Sequence, residues 1–165
     1  MSDGRLAVNV ASLQFRNPIV LASGTAGYGV ELEGVVDLDA IGGLVTKAVS
    51  IERRDGAAEP RVAEFEGGMI NAVGLANPGL AEVSRVHVPW LASHHMGTRK
   101  LFNIVGFAVE EFASVVRGLE QASASHPAAI DGYEINVSCP NVNQGGTEFG
   151  ADPTSLKAVV RSPRA

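Results

Sequence analysis

Cysteine is almost missing from this chain: a single thiol, Cys139, stands among 165 residues. One thiol cannot close an internal disulfide. With no CxxC pair and no Cys/His array there is no framework for structural zinc either, so the expected setting is reducing and cytoplasmic, with no metal. Basic runs are equally scarce. None is longer than Arg53-Arg54 and the formal net charge is −5, which argues against nucleic acid as a partner. No uninterrupted apolar stretch approaches the roughly 18 residues of a membrane helix, so no membrane partner is expected. The start, MSDGRLAVNV, lacks the charged head and apolar stretch of a signal peptide.

What is present is glycine, 19 residues, and a 45% hydrophobic content, enough for one domain with a core. Several glycines fall beside short apolar runs. Asn17-Pro18 opens IVLAS, closed by Gly24; Gly42-Gly43 opens LVTKAVS; LFNIV is closed by Gly106; Tyr133 to Cys139 is the fourth run. Continuous rather than alternating, these read as strands of a parallel sheet covered on both faces. Helical periods lie between them. Residues 108–122 place Val109, Phe112, Val116 and Leu119 on one face. A weaker pattern over 79–92 is interrupted by Pro89, and Asp152 with Pro153 predicts a capped helix over 153–161. The order is that of a β/α chain with right-handed crossovers.

Chemistry in such folds sits where strands end at their carboxyl edges. Strand one ends in Ser23-Gly24-Thr25, strand two in Thr46-Lys47-Ala48; strand three holds Asn103, and strand four ends in Asn136, Ser138 and Cys139. A lone Cys after a strand is more often a small buried hydrophobe, and a lone Lys is usually a solvated surface residue. Lys47, however, follows GGLVT inside an apolar run, an awkward place for a solvated charge. A hydroxyl, an ammonium, an amide and a thiol on one rim are harder to dismiss together than singly.

Four segments carry a specific resemblance: NPIVLASGTAGYG, GGLVTKAVS, EPRVAEFEGGMINAVGLANPG and EINVSCPNVNQGGTEFGADP. In order and spacing they resemble dihydroorotate dehydrogenases, to about residue 160. Cys within NVSCPN is similar to the class 1 pattern, and the NAVGLANPG loop followed by CPNVNQGG is most similar to the NAD-linked class 1B catalytic subunit. The resemblance implies a (β/α)8 TIM barrel and oxidation of dihydroorotate to orotate with FMN, a proton leaving C5 and a hydride leaving C6. Cys139 matches the family's base. The implied step is proton abstraction rather than a covalent adduct, because the substrate offers no acyl group to attack. Lys47 matches the lysine that contacts both flavin and substrate. Ser23, Ala48, Asn103 and Asn136 match flavin contacts. Asn71, Ala72, Val73, Gly74 and Leu75 match the substrate loop, while Asn136 and Asn141 match amides that bond the pyrimidine ring. An amide supplies donor and acceptor together, which suits a ring of alternating C=O and N–H.

The class 1B resemblance also implies a partner subunit carrying FAD and a 2Fe-2S cluster, in a heterotetramer. One Cys could not hold that cluster, which normally takes four thiolates. A family barrel needs about 200–250 residues or more, so residues 1–165 are expected to form the N-terminal half of the barrel, without its second lysine strand or the Gly-rich phosphate loops. Two alternatives stand beside this reading: a non-catalytic half-barrel, and a flavoprotein similar to dihydropyrimidine dehydrogenase. Lesser features have bland readings. GTAGYG is the turn after strand one, Asp37 and Asp39 cap or turn, Trp90 packs a helix onto the sheet, and His94-His95 lie in a solvated loop.

Overall fold

The computed structural model describes residues 4–94, 97–138, 140–141 and 147–164. An antiparallel hairpin, β1 (Val8–Val10) with β2 (Leu13–Phe15), precedes β3 (Val20–Leu21) and β4 (Gly43–Val45). A second hairpin follows, β5 (Val62–Phe65) with β6 (Gly68–Asn71), then the short helices α1 (Leu80–Glu82) and α2 (Val88–Ser93). The strand β7 (Arg99–Ile104), helix α3 (Val109–Ser123) and strand β8 (Gly132–Ile135) come next. The chain then forms β9 (Pro140–Asn141), paired with β10 (Thr147–Glu148), and helix α4 (Pro153–Arg161).

The strands β3, β4, β7 and β8 form one parallel sheet in chain order, with β3 and β8 at its edges. This is the expected set of four, each joined to the next by a crossover. The described residues show a parallel α/β sheet and no closed barrel. Gly42 sets the approach to β4. A Cβ there would lie 1.9 Å from the carbonyl oxygen of Asn17, so no other residue fits without moving the backbone.

Phe102 and Ile104 of β7 and Leu44 of β4 pack in one cluster with Phe112, Val115 and Leu119 of α3. The rings of Phe112 and Phe149 meet edge to face, 5.7 Å between centroids. Asp152 caps α4, its carboxylate accepting from the Ser155 N–H at 2.7 Å, with Pro153 in the first turn. Pro89 does not end its helix, as the sequence pattern suggests. It sits in the first turn of α2, directly after a π-helical turn over Val83–His87. A proline offers no N–H to the carbonyl four residues back and its ring crowds that carbonyl, so the helix widens just before it.

One expectation needs correction, and two further features were not singled out in the sequence. The strands are shorter than the apolar runs: β3 stops at Leu21, β4 at Val45 and β8 at Ile135. Beyond them the backbone still bonds its neighbours, Thr46 N–H to Leu101, Val49 N–H to Asn103 and Asn136 N–H to Ile104, but it bends away from regular pairing. The hairpins β1–β2 and β5–β6 were not anticipated. Gly67, at φ 86°, makes the second turn and was the available signal. The second such feature is Lys100. It is only 2% exposed, on the second residue of β7. Its ammonium donates to the carbonyls of Leu91 and Ala128, and burial lowers its pKa against the pull of Asp131 and Asp39. It ties α2 and the segment before β8 to the sheet. Among the described residues no helix is long and apolar enough to cross a membrane, and no group of three or more His, Cys, Asp or Glu could hold a metal.

A cleft at the carboxyl ends of the parallel strands

The carboxyl ends of the four strands open onto a cleft of about 780 Å3, within the usual range for small-molecule sites. Ala22 to Thr25 enter from β3, Lys47 and Ala48 from β4, Asn103 from β7, and Glu134 to Ser138 from β8; Val73, Leu75 and Ala76 complete it from the segment after β6. The apolar base beside Ala48 is a small cluster of Ala48, Val105, Leu75 and Phe107.

Backbone hydrogen bonds hold the rim. The Lys47 N–H donates to Gly27 O at 2.7 Å, the Ser23 hydroxyl to Thr46 O at 2.8 Å, and the Tyr28 phenol to Ala48 O at 3.0 Å. Thr46, fully buried, accepts the Asn103 N–H on its hydroxyl at 3.3 Å. The segment after β6 is anchored through Asn77, 5% exposed, whose amide bonds Ser50 and Leu75 O and accepts from the Gly79 N–H. Leu75 stands at φ 57°, a left-handed conformation that a branched residue adopts only when its surroundings impose it.

Of the residues singled out in the sequence, Ser23, Lys47, Ala48, Val73, Leu75, Asn103 and Asn136 line this one cleft. Asn71, Ala72 and Gly74 do not. Asn71 ends β6 opposite Val62, the Ala72 N–H is bonded to Arg61 O, and Gly74 packs on the backbone of Gly56 and Ala57. Gly74 is needed there because its φ is 71° and a Cβ would lie 2.6 Å from the Ala57 nitrogen. Asn141 lies in β9 opposite Thr147. Cys139 lies outside the described residues. His94 is not a solvated loop residue: it stacks on Trp90 at 4.5 Å, and its Nδ1 is 2.8 Å from the Trp90 carbonyl oxygen. His95 lies outside the described residues.

Sequence reasoning missed Glu134. It lines the cleft and accepts from the Asn103 amide Nδ2 at 2.5 Å. The available signal was parity: residues 134 and 136 of a strand share a face. Two features bear on what the cleft can hold. The Asn103 side-chain oxygen is buried with no hydrogen-bond partner among the described residues, and no hydrogen bond or ion pair engages the Lys47 ammonium among them. An unused acceptor beside an unused cation suits a planar ring edged with N–H and C=O, such as a flavin or a pyrimidine, and the residues present fit FMN in that respect.

One neighbour of the rim titrates. His87 stacks on Tyr28 at 4.1 Å, and its Nδ1 is buried without a hydrogen-bond partner among the described residues. Burial lowers its pKa; the carboxylates of Glu31 and Glu82 oppose this only in part. A histidine that folds neutral contributes stability above its unfolded pKa of about 6.5 and loses it as pH falls from there through the folded value. The melting temperature is therefore expected to drop as pH falls below about 6.5, and to drop less steeply in His87→Phe. Equal pH slopes in the two proteins would show that His87 does not set this dependence.

A profile described as dihydroorotate dehydrogenase matches residues 5–163. The chain is 41% identical over 159 residues to the dihydroorotate dehydrogenase A (fumarate) of Lactiplantibacillus plantarum, covering 96% of this chain and 50% of that protein. It is 42% identical to the dihydroorotate dehydrogenase B (NAD(+)) catalytic subunit of Pelobacter propionicus, again covering 96% and 50%, and 42% identical to that of Trichlorobacter lovleyi, covering 97% and 50%. A parallel α/β sheet with a small-molecule cleft at its strand ends is the class that fold and site define. The chain belongs to the dihydroorotate dehydrogenase family. It spans about half the length of the curated relatives it matches.

Proposed function

We propose that the protein oxidises (S)-dihydroorotate to orotate in pyrimidine synthesis, using FMN, with electrons passed to NAD through a partner subunit carrying FAD and 2Fe-2S. The observation that supports this best is the meeting, in one cleft of a chain of this family, of Lys47 with the amides of Asn103 and Asn136. FMN, when bound, supplies the hydride acceptor. The chain's own groups do the rest. Cys139, as thiolate, takes the proton from C5 and becomes the thiol. Lys47 pairs with the orotate carboxylate and stabilises negative charge as it develops. Ser23, Ala48, Asn103 and Asn136 hold the flavin ring. Asn136 and Asn141 bond the pyrimidine, and the Asn71–Leu75 segment is the substrate loop, of which Val73 and Leu75 line the cleft. In this reading the 165 residues belong to a (β/α)8 barrel of which they make about half.

The NAD-linked assignment rests on NAVGLANPG followed by CPNVNQGG. The test is anaerobic titration of the purified full-length protein with dihydroorotate, followed by assay with three acceptors. The expected result is a yellow protein whose flavin bleaches and which reduces an artificial dye, but neither fumarate nor NAD until the partner subunit is added. Absence of bleaching would overturn the dehydrogenase reading. Fumarate reduction would move the protein to the fumarate-linked type, and NAD reduction by the lone subunit would remove the partner.

A further inference from the structure

We propose that Glu134 is a positioning residue that fixes which way round the Asn103 amide faces, so that the cleft offers a set acceptor to an N–H of the bound ring. This rests on the reading above and adds a residue to it. Asn103 and Glu134 stand opposite each other in the register of β7 and β8. Asn103 is only 3% exposed. Its backbone is fully engaged: the N–H donates to the Thr46 hydroxyl at 3.3 Å, and the carbonyl accepts the Val49 N–H at 2.9 Å. Its Nδ2 donates to Glu134 at 2.5 Å, which leaves Oδ1 as the group without a partner, buried at a residue that lines the cleft.

The orientation follows from donor and acceptor chemistry. An amide has nearly the same shape either way round, so only its partners choose its direction. An ionised carboxylate accepts and cannot donate. With Glu134 on one side, only the NH2 end can face it, and the oxygen end must face away. A buried acceptor left unpaired costs free energy, and a ligand bringing an N–H recovers it. A ligand carbonyl at that point would find an acceptor facing an acceptor. Were the amide free to turn, the cleft could meet either group and would lose this discrimination. The chemical class recognised is therefore a lactam or imide N–H, which both the flavin ring and the pyrimidine carry.

The test compares wild type, Glu134→Ala and Glu134→Gln in the full-length protein. Glutamine can turn either its oxygen or its NH2 toward Asn103, so it should restore only part of what alanine loses. FMN affinity is expected to fall roughly ten- to a hundredfold in Glu134→Ala. The sharper readout is selectivity between FMN and 3-methyl-FMN, whose ring nitrogen carries a methyl in place of the proton. Wild type should prefer FMN, and Glu134→Ala should lose the part of that preference that the set acceptor supplies, keeping only the part due to steric exclusion of the methyl. If instead selectivity holds but orotate affinity, read from the flavin spectrum, falls by a similar factor, the N–H belongs to the pyrimidine. Unchanged selectivity together with unchanged orotate affinity overturns the proposal. A wild-type protein that takes no FMN would sink the dehydrogenase reading alone. The amide is then read directly: in 15N-asparagine-labelled protein its Nδ2 protons should exchange slowly in wild type and fast in Glu134→Ala, with Glu134→Gln between the two. Equal exchange in all three overturns the proposal.

Discussion

Replacing Cys139 with serine is expected to slow flavin reduction by dihydroorotate roughly a hundred- to ten-thousandfold near neutral pH, the usual worth of a positioned general base. The thiolate is the form that takes a proton. A free thiol has a pKa of about 8.5, so a useful fraction ionises near neutrality, and a cation nearby raises that fraction. A serine hydroxyl ionises far less readily and has no second group assigned to help it. The variant's rate should therefore climb as pH rises, beyond the point where the wild-type rate levels off, and recover in part. Ser138 and Asn136 line the cleft, and Cys139 follows them in sequence. Stopped-flow bleaching across a pH series measures it. Equal rates in the two proteins would take Cys139 out of the mechanism.

The second large effect is expected at Lys47. In Lys47→Met the cleft loses its cation while the apolar stem is kept. The loss in kcat/KM should be on the order of a hundred- to a thousandfold, as for other preorganised groups that meet developing charge in a water-poor site. Both constants should move. KM rises because the substrate carboxylate loses its ion partner, and kcat falls because the negative charge that a hydride would bring to a bound flavin would no longer be balanced. Lys47→Arg should recover part of KM and less of kcat, since a planar guanidinium pairs with a carboxylate but does not reproduce a compact ammonium. Steady-state kinetics on the three proteins, with flavin content checked, separates the two constants. A change of less than about threefold in kcat/KM would place Lys47 outside the electrostatics that act on the transition state.

Much of the sheet was legible because short apolar runs closed by glycine have few other homes. The runs containing Leu21, Leu44, Phe102 and Ile135 all fell in β3, β4, β7 and β8, in chain order and parallel. Helix α3 was legible from its period and α4 from Asp152-Pro153, since capping is local chemistry. Strand ends were not. Val49 continues an apolar run, yet regular pairing stops at Val45, because pairing depends on where the neighbouring strand stops. The hairpin β5–β6 escaped because both of its faces are exposed, so it carries no burial pattern to read.

By itself the sequence determined the membership of the cleft's strand ends: Ser23, Lys47, Ala48, Asn103 and Asn136 were each identified from position after an apolar run and from resemblance to the family's motifs. Which residues share an environment was decided only by tertiary structure. Asn71, Ala72 and Gly74 stand off the cleft although Val73 and Leu75 enter it, because alternation and the left-handed turn at Gly74–Leu75 send adjacent residues different ways. Lys100 was not singled out in the sequence; strand register and the crossover before β8 bring two carbonyls to its ammonium. Glu134 looked like the polar side of a strand until register set it opposite Asn103. Local chemistry can be read along a chain. Partnership across the sheet depends on register, and register is fixed only when the whole core packs.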